Sequence, residues 1–365
     1  MNGILIIDKE QNWTSNDVVQ KVKKITGEKV GHTGTLDPLA TGVLPLLIGK
    51  GTLLSKYLVN HDKTYVAKVK LGVKTDTADL EGEVIEKETV EDNTFEEKKI
   101  KEVLKSFIGK QKQTPPMYSA VKIKGKKLYE YARGGQKVDI PERDIEIYEM
   151  ELINFRKETQ EIEFKASCSK GTYIRSLCED IAKKLGTIGT MSSLRRIRVG
   201  EFKIEDAITI SEAQQMDLSE RIITIEKFFK KNNKIELSSK DLTLFLNGVK
   251  LDRQEDEGIY RVYCNGDFIG VGVVMDGFLK RDIIIIYKCP WMWKNSQYVK
   301  KHNVRFFFVM FFSSINETMY CSTVFYHFVD VDKMVKIATE VRKTKYKKIR
   351  TKICKKYWKS LRNVI

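Results

Sequence analysis

The residues best suited to chemistry lie in "GHTGTLDPLATGVLP", residues 31–45, where Asp37 is the one ionisable acid. Asp and Pro form turns readily, so a purely structural turn is one interpretation of this stretch. A turn needs no row of Gly and Thr, however, and such small residues let another molecule approach the backbone closely. Leu36 and Pro38 flank the acid with no Lys or Arg in the window, which predicts a desolvated carboxylate that needs a distant cation.

A candidate for that cation is Arg175, in the first turn of a helix predicted from about Tyr173 to Leu185 and ended by Gly186. The helix macrodipole disfavours a positive charge at this end, and Arg175 lies outside the helix's apolar stripe. A solvated surface arginine and an ion pair with Asp37 both fit the position. The spacing does not decide between them.

Other chemistries find little support in the sequence. His32 is one of four histidines, and no Ser/His/Asp constellation or metal-ligand spacing surrounds it, which argues against a hydrolase or a metalloenzyme. The glycines of residues 31–51 match neither a P-loop nor a dinucleotide fingerprint. Asp76 and Asp79 in "TDTAD" lack the spacing of a calcium-binding loop, so a turn is the better interpretation. The sequence predicts no metal site.

The first elements expected to position these residues are two strands and a helix. "GILIID" predicts a strand buried on both faces, and it precedes a helix that Ser15 caps and Gly27 ends. "KTYVAKVKLG" alternates apolar and polar residues, which predicts a strand with Tyr65 on its inward face.

Later elements follow without a regular alternation. A capping box from Thr94 to Glu97 predicts a helix that ends at Gly109, and strands are predicted near 144–155 and 161–168. Because strands outnumber helices and no βαβ pattern recurs, the predicted class is α+β. Residues 234–286, rich in short strands and with an Asn-Gly turn, predict a small β-rich second domain.

The net charge of +16 is concentrated in residues 288–365, which hold 18 of the 65 Lys and Arg but 4 of the 49 Asp and Glu. A basic excess favours a nucleic-acid partner, although the nearly neutral body must bind one through local patches. Two basic stretches, 113–135 and 193–200, the first of which also contains aromatic residues, together offer phosphate contacts and stacking faces suited to RNA loops.

Cysteine usage predicts the compartment. The six cysteines show no CxxC spacing, which argues against structural zinc and against a disulfide framework, and no signal peptide is evident. The longest apolar run, "FFFVMFF" at 306–312, is too short to span a bilayer as a helix. A cytoplasmic protein without a membrane partner is therefore expected.

Taken together, these stretches resemble the bacterial tRNA pseudouridine-55 synthases, the TruB family. The similarity runs in order through "GHTGTLDPLATGVLP", "KTYVAKVKLGVKTDTADLEG", "QTPPMYSAVKIKGKKLYEYARGG", "SKGTYIRSLCEDIAKKLG" and "SLRRIRVG" and covers about residues 3–286. The resemblance implies a pseudouridine-synthase fold with a central, largely antiparallel mixed sheet flanked by helices and loops. It implies a catalytic domain at 1–207, a PUA-like RNA-binding domain at 208–287, and a basic Phe- and Lys-rich tail at 288–365.

The resemblance also implies roles for individual residues. Asp37 would be the catalytic aspartate, acting on uridine 55 after it flips out of the tRNA T-loop, and Arg175 would pair with it. Roles in binding the substrate fall on His32, Tyr65, Tyr173 and Leu194. The implied partner is the T-arm stem-loop of tRNA, bound by a monomer with no cofactor, no small-molecule partner and no metal. Whether the aspartate acts first as nucleophile or as base is left open.

One stretch departs from the family pattern. The usual "DKPxG" is "DKEQN" here, with Glu10 in place of proline and Asn12 in place of glycine. The change predicts a less rigid loop, slight repulsion of RNA by Glu10, and reduced efficiency at most.

Alternatives remain for the tail and for the function. The tail is either a basic extension that holds RNA or the translation of an AT-rich shifted reading frame. The alternative functions are a guide-dependent, dyskerin-type relative and an RNA-binding module whose chemistry is lost. Activity of the purified protein on naked tRNA would distinguish the stand-alone enzyme from the guide-dependent relative.

Overall fold

The computed structural model describes residues 1–59, 61–136 and 138–285, with the backbone of 310–315 and 318–323. The chain divides into two compact units, Met1–Tyr287 and Lys288–Ile365. In the second unit, Met310–Ile315 and Thr318–Thr323 form an antiparallel pair of strands. The two hypotheses about the tail concern residues that lie, apart from these strands, outside the described part of the chain.

The first unit is built from short elements. Its described strands are β1 Gly3–Lys9, β2 Val30–His32, β3 Thr41–Ile48, β4 Lys63–Leu71, β5 Val73–Thr75, β6 Val84–Lys87, β7 Gly109–Gln113, β8 Lys122–Ile123, β9 Lys126–Lys127, β10 Arg143–Arg156, β11 Glu161–Cys168, β12 Gly189–Val199, β13 Phe202–Lys203, β14 Ile223–Thr224, β15 Lys234–Glu236, β16 Leu251–Asp252, β17 Gly258–Cys264, β18 Asp267–Met275 and β19 Phe278–Ile284. Its described helices are α1 Ser15–Thr26, α2 Ser55–Leu58, α3 Glu97–Lys105, α4 Leu128–Arg133, α5 Ile174–Leu185, α6 Ile210–Gln215, α7 Ile225–Phe228 and α8 Ser239–Leu246. No helix of the described residues is both long and apolar enough to cross a membrane.

A ten-stranded sheet forms the framework of the first unit. Its strands run in the order β14, β1, β3, β12, β4, β11, β10 and β7, with β2 beside β3 and β13 beside β12. Every pairing is antiparallel except that of β3 with β12, where Thr41 and Gly42 lie opposite Arg195 and Arg196. The predicted α+β class with a largely antiparallel mixed sheet is therefore confirmed.

The parallel contact between β3 and β12 is unusually close. Gly42 has φ +104, and a Cβ there would lie 2.2 Å from the carbonyl oxygen of Arg196. A larger residue cannot occupy this position without separating the strands. The glycine therefore fixes the distance between β12 and the start of β3.

One hydrophobic cluster joins the helices to this sheet. Period-2 burial along β4 points Tyr65, Ala67, Val69 and Leu71 inward, as the sequence predicted. The same cluster contains the buried faces of α1, α3 and α5, represented by Val18, Ile100 and Leu177. The first turn of α5 thereby stands over the strands that carry the site.

A second, five-stranded sheet runs in the order β15, β17, β18, β19 and β16. Asn265 and Gly266 both have positive φ in the turn that joins β17 to β18, so the predicted Asn-Gly turn is confirmed. A second hydrophobic cluster, including Ile6, Leu47 and Val271, joins this sheet to β1 and β3 of the larger one. The division of the chain at 207/208 stays a prediction.

Three predicted helix boundaries are wrong. Thr14, rather than Ser15, caps α1: its side chain accepts the Asp17 N–H, and the Asp17 carboxylate accepts the Thr14 N–H. No capping box joins Thr94 to Glu97, because residues 92–95 form a separate 3₁₀ turn and α3 starts at Glu97. That helix ends at Lys105, and Gly109 instead opens β7. The predicted helix ends at Gly27 and Gly186 are confirmed, both in the left-handed conformation.

Candidate active site

Asp37 lies in the loop between β2 and β3. Leu36, Leu39 and Ala40 are buried and fasten this loop to the hydrophobic core. Ser15, at the start of α1, holds the loop from below: its hydroxyl donates to the Leu36 carbonyl at 3.0 Å and accepts the Leu36 N–H at 2.9 Å. The Asp37 side chain is 39% exposed. The predicted desolvation of this carboxylate is therefore wrong, because Leu36 is buried in the core while Pro38 is exposed and the acid stays accessible to solvent.

Arg175 is the cation that faces Asp37. Its side chain is only 8% exposed, and Nη2 lies 3.1 Å from Oδ2 of Asp37. The guanidinium also donates to the Thr77 carbonyl at 3.1 Å and to the Tyr118 carbonyl at 2.8 Å. Arg175 is thus held by partners on three separate chain segments, and the interpretation as a solvated surface arginine is wrong.

Asp79 is a second partner of the same arginine, and the sequence did not reveal it. Oδ2 of Asp79 lies 3.4 Å from Nη1 of Arg175, while Oδ1 accepts from the Thr77 hydroxyl at 2.6 Å and from the Glu81 N–H at 3.2 Å. The segment does turn, as predicted, but its buried carboxylate serves to orient the guanidinium. No local spacing distinguishes such an acid from an ordinary turn residue.

Arg196 lies under both ends of the Asp37 loop. It is 1% exposed, and it donates from Nε to the Val43 carbonyl at 2.8 Å and from Nη2 to the Gly34 carbonyl at 3.0 Å. The interpretation of 193–200 as a basic RNA-facing stretch is therefore wrong for this residue. Burial raises the pKa of the Tyr65 phenol, and the neighbouring Arg196 charge and hydrogen bond oppose that rise. The Asp37 carboxylate acts on the same phenol, so Tyr65 belongs to the same electrostatic site.

Lys9 anchors the "DKEQN" stretch, which departs from the family pattern, to the loop that carries Asp37. Its buried Nζ donates to the carbonyls of Glu10 at 2.9 Å, Trp13 at 2.6 Å and Pro38 at 3.2 Å. Burial lowers the Lys9 pKa to about 8, against the opposing influence of Asp37. Asn12 has φ +67 and donates its N–H to the Pro38 carbonyl at 2.9 Å. Asn tolerates this conformation better than most residues, so the stretch stays fixed to the residue after Asp37 without its glycine.

The remaining predicted residues lie on the elements around this loop. His32 ends β2, and within the described residues its buried Nδ1 has no hydrogen-bond partner. Burial, and then the charge of Arg196, lower the His32 pKa, which favours the neutral ring. Leu194 is buried on β12 opposite Ala67, two residue pairs along the strands from the pair formed by Arg196 and Tyr65. Tyr173 is the residue that precedes α5.

The segment after β7 combines bases and aromatic rings as the sequence predicted. Lys126 lies 4.6 Å from the ring centroid of Tyr131, while Lys127 and Arg133 lie 5.2 Å and 5.5 Å from that of Tyr129. The segment is tied to the site, because the carbonyl of Tyr118 holds Arg175 and its hydroxyl donates to Asp76 at 3.3 Å. A movement of this segment would therefore displace the guanidinium of Arg175.

Solved structures place this fold in a known class. A chain of a Cbf5-Nop10-Gar1 complex superposes with a TM-score of 0.54 at 27% identity, covering 78% of this chain and 84% of that one. A chain of the archaeal box H/ACA sRNP Nop10-Cbf5 complex has the same fold, with a TM-score of 0.52 at 23% identity over 79% of this chain and 86% of that one. The fold is therefore that of the Cbf5 proteins, and the sheet architecture that the resemblance implied is confirmed.

Sequence comparison narrows the class. The family model for the N-terminal domain of the TruB family pseudouridylate synthases matches residues 21–174, and two models of C-terminal domains from the same family match 175–226 and 234–280. The tRNA pseudouridine synthase B of Clostridium tetani is 45% identical over 279 residues, 74% of this chain and 95% of that protein. That of Aquifex aeolicus is 39% identical over 290 residues, 78% of this chain and all of that protein. The chain belongs to the TruB family.

Proposed function

We propose that this enzyme converts uridine 55 in the T-loop of tRNA to pseudouridine, with Asp37 as the catalytic residue. The N1–C1′ bond breaks, the base turns, and a C5–C1′ bond forms; the hydrogen on C5 leaves to solvent while N1 gains a proton. The isomerisation involves no net redox change and no group donor, so the proposal includes no cofactor. A monomer acting on tRNA in the cytoplasm completes it.

The observation that carries the proposal is the Asp37–Arg175 ion pair, 3.1 Å long with the arginine buried and the aspartate exposed. A buried guanidinium beside the carboxylate fixes its direction. The exposed Gly34 and Thr35 beside it leave room for a nucleotide to approach. A charged, oriented carboxylate at an open surface suits attack on the sugar or removal of a proton.

Substrate choice rests on the relatives. The similar proteins from Clostridium tetani and Aquifex aeolicus are tRNA pseudouridine synthases, and position 55 comes from the resemblance to that family. His32, Tyr65, Tyr173 and Leu194 are the proposed contacts to the flipped uridine and the loop it leaves. The bases and aromatic rings after β7 supply phosphate contacts and stacking faces for the T-arm.

A guide-dependent enzyme is the second candidate, because the solved structures of similar fold are Cbf5 complexes with other proteins. The relatives named for tRNA are the more similar in sequence, at 39–45% identity against 23–27%. Purified protein that modifies naked tRNA would support the first candidate, whereas a requirement for a guide RNA would support the second.

Tritium release from a T-arm transcript with 5-tritiated uridine tests the reaction and the residue together. Because C5 loses its hydrogen only when the new carbon–carbon bond forms, we expect release by the wild type and a loss of at least about 10³-fold in Asp37→Asn. A transcript with cytidine at position 55 and tritiated uridine elsewhere is the matched control and should release none.

Release from the control transcript would contradict the assigned position. Undiminished release by Asp37→Asn would contradict the assigned residue. No release by the wild type, with tRNA binding intact, would favour the RNA-binding module over the enzyme.

A further inference from the structure

Gln113 is a buried polar residue that no step so far has used. It ends β7, and its carboxamide makes two hydrogen bonds to the backbone of Tyr173: Nε2 donates to the carbonyl at 3.0 Å, and Oε1 accepts the N–H at 2.8 Å. A side chain that bonds both groups of one residue copies the pairing of a neighbouring strand. Gln113 therefore fixes Tyr173 in position and orientation.

Tyr173 is the residue from which α5 starts. It has extended φ and ψ of −97° and 111°, and no side chain caps the helix. Its carbonyl also accepts the N–H of Leu177 at 3.1 Å, which is the first hydrogen bond of the helix. With no capping side chain, the amide of Gln113 is the polar group that sets where the helix begins.

Two further bonds join the same stretch to the same turn. The hydroxyl of Ser176 donates to the carbonyl of Thr114 at 3.0 Å, and Nη2 of Arg175 donates to the carbonyl of Tyr118 at 2.8 Å. Residues 113–118 are thus joined at three points to the first turn of α5, which carries Arg175, the partner of Asp37. Gln113 makes the first of these attachments and the only one through its own side chain.

We infer that Gln113 is a positioning residue for the pseudouridine synthase reaction. It sets the start of α5, hence the place of Arg175 and the direction of the Asp37 carboxylate, and it links that place to the segment expected to bind the T-arm. The inference rests on the proposed role of Asp37. Since a misplacement of about 1 Å can cost about 100-fold in rate, losing both bonds should slow the chemical step more than it weakens RNA binding.

Gln113→Met tests this, because methionine has a similar size and bonds neither backbone group. The matched control is Gln111→Met in the same strand, whose Nε2 donates to the Phe107 carbonyl at 2.7 Å rather than to the backbone of Tyr173. We expect Gln113→Met to lower the single-turnover rate of tritium release by about 10- to 100-fold. The dissociation constant for tRNA should change by no more than about threefold, and Gln111→Met should match the wild type. A purely structural role would instead lower the melting temperature and leave the rate of the folded protein unchanged.

Gln113→Glu is the second variant, since it keeps the acceptor for the Tyr173 N–H and removes the donor. A single-turnover rate within about twofold of wild type in both folded variants overturns the inference, and if Gln113→Met does not fold, Gln113→Glu alone decides. Combination with Arg175→Lys tests the route: coupled residues lose less together than the product of their separate losses, and a full product overturns the route through Arg175. Active wild type, inactive Asp37→Asn and unaffected Gln113 variants would reject this inference while leaving the proposed function standing.

Discussion

Arg175 forms ion pairs with two carboxylates that differ in their exposure to solvent. Asp79 is buried and has partners for both oxygens, whereas Asp37 keeps one side open to solvent. Removing the arginine would leave the buried Asp79 charge unpaired, at a typical cost of about 3–5 kcal/mol. Replacing Asp37 leaves the Arg175–Asp79 pair in place. Asp37→Asn is therefore the cleaner test of chemistry, and Arg175→Ala mixes a catalytic effect with a loss of stability.

Ser15→Ala should slow catalysis although Ser15 is remote from the substrate side of the loop. The change leaves the buried N–H and carbonyl of Leu36 without their shared partner, which typically costs about 1–3 kcal/mol for each unsatisfied group. Because Leu36 precedes Asp37, we expect the single-turnover rate of tritium release to fall about tenfold or more. Asn16→Ala, at the exposed neighbouring position, should match the wild type. Equal rates for both variants would show that the Ser15 bonds do not position the acid.

Lys9 should make stability depend on pH in the alkaline range. The folded pKa is about 8 and the ordinary value is 10.5, so between these pH values the unfolded chain keeps a proton that the folded protein has released. Stability attributable to Lys9 therefore rises with pH through this window, by at most about 1.4 kcal/mol per pH unit.

Denaturant unfolding of wild type and Lys9→Met at pH 7, 8, 9 and 10 measures this effect. The difference in unfolding free energy, wild type minus variant, should become more favourable to the wild type above pH 8. A difference that stays constant or falls over this range would mean that the Lys9 ammonium is not destabilised by burial.

The local sequence indicates some of these site residues and gives no sign of others. A single acid in a Gly- and Thr-rich loop is visible in the sequence, as is an arginine outside the apolar stripe of a helix. Asp79, Arg196 and Lys9 are not, because their burial depends on segments far along the chain that supply carbonyl groups or an opposite charge. Asp37 itself was expected to be desolvated, but the folded loop buries Leu36 and leaves Pro38 exposed beside the acid.

At the scale of elements, the capping box of α1 gives a direct prediction. Thr14→Ala removes the oxygen that accepts the Asp17 N–H, and such a loss typically costs about 1 kcal/mol of stability. We expect a lower unfolding midpoint, with a tritium-release rate close to wild type at temperatures where the protein stays folded. Gln20→Ala, on the exposed face of the same helix, serves as the control. An unchanged unfolding midpoint for Thr14→Ala would contradict the capping role of Thr14 and favour Ser15 as the cap.

Elements with clear periodicity were predictable and their relations were not. The strand around Tyr65 and the helix ends at Gly27 and Gly186 follow from alternation and from left-handed glycines. The start of α3 was missed because Thr94 lies inside a 3₁₀ turn, and the extended residue Glu96 separates that turn from the helix. The order of the strands rests on pairings between distant segments, for which a single sequence has no local signal.

At the scale of the whole molecule, the matches to the family models end before the basic tail at 288–365. The family models stop at residue 280, and the similarity to the Clostridium tetani protein spans 279 residues. A protein that ends at residue 287 should therefore keep the single-turnover rate within about twofold, a change of roughly 0.4 kcal/mol in barrier. A loss above tenfold would show that residues 288–365 contribute to the reaction. A shallower salt dependence of tRNA binding would support the basic extension that holds RNA.

The parallel contact of β3 with β12 has a consequence during protein synthesis. The two carbonyls that Arg196 holds lie at the ends of the Asp37 loop, and 153 residues separate Arg196 from Val43. At about 5–20 residues per second, a ribosome needs roughly 8–30 s to make that stretch. For this time Thr41 and Gly42 at the start of β3 lack their β12 partner, while β2 already pairs with residues 46–48 of the same strand, and exposed strand edges invite pairing with other chains. The candidate active site is therefore completed only when most of the first unit has been translated.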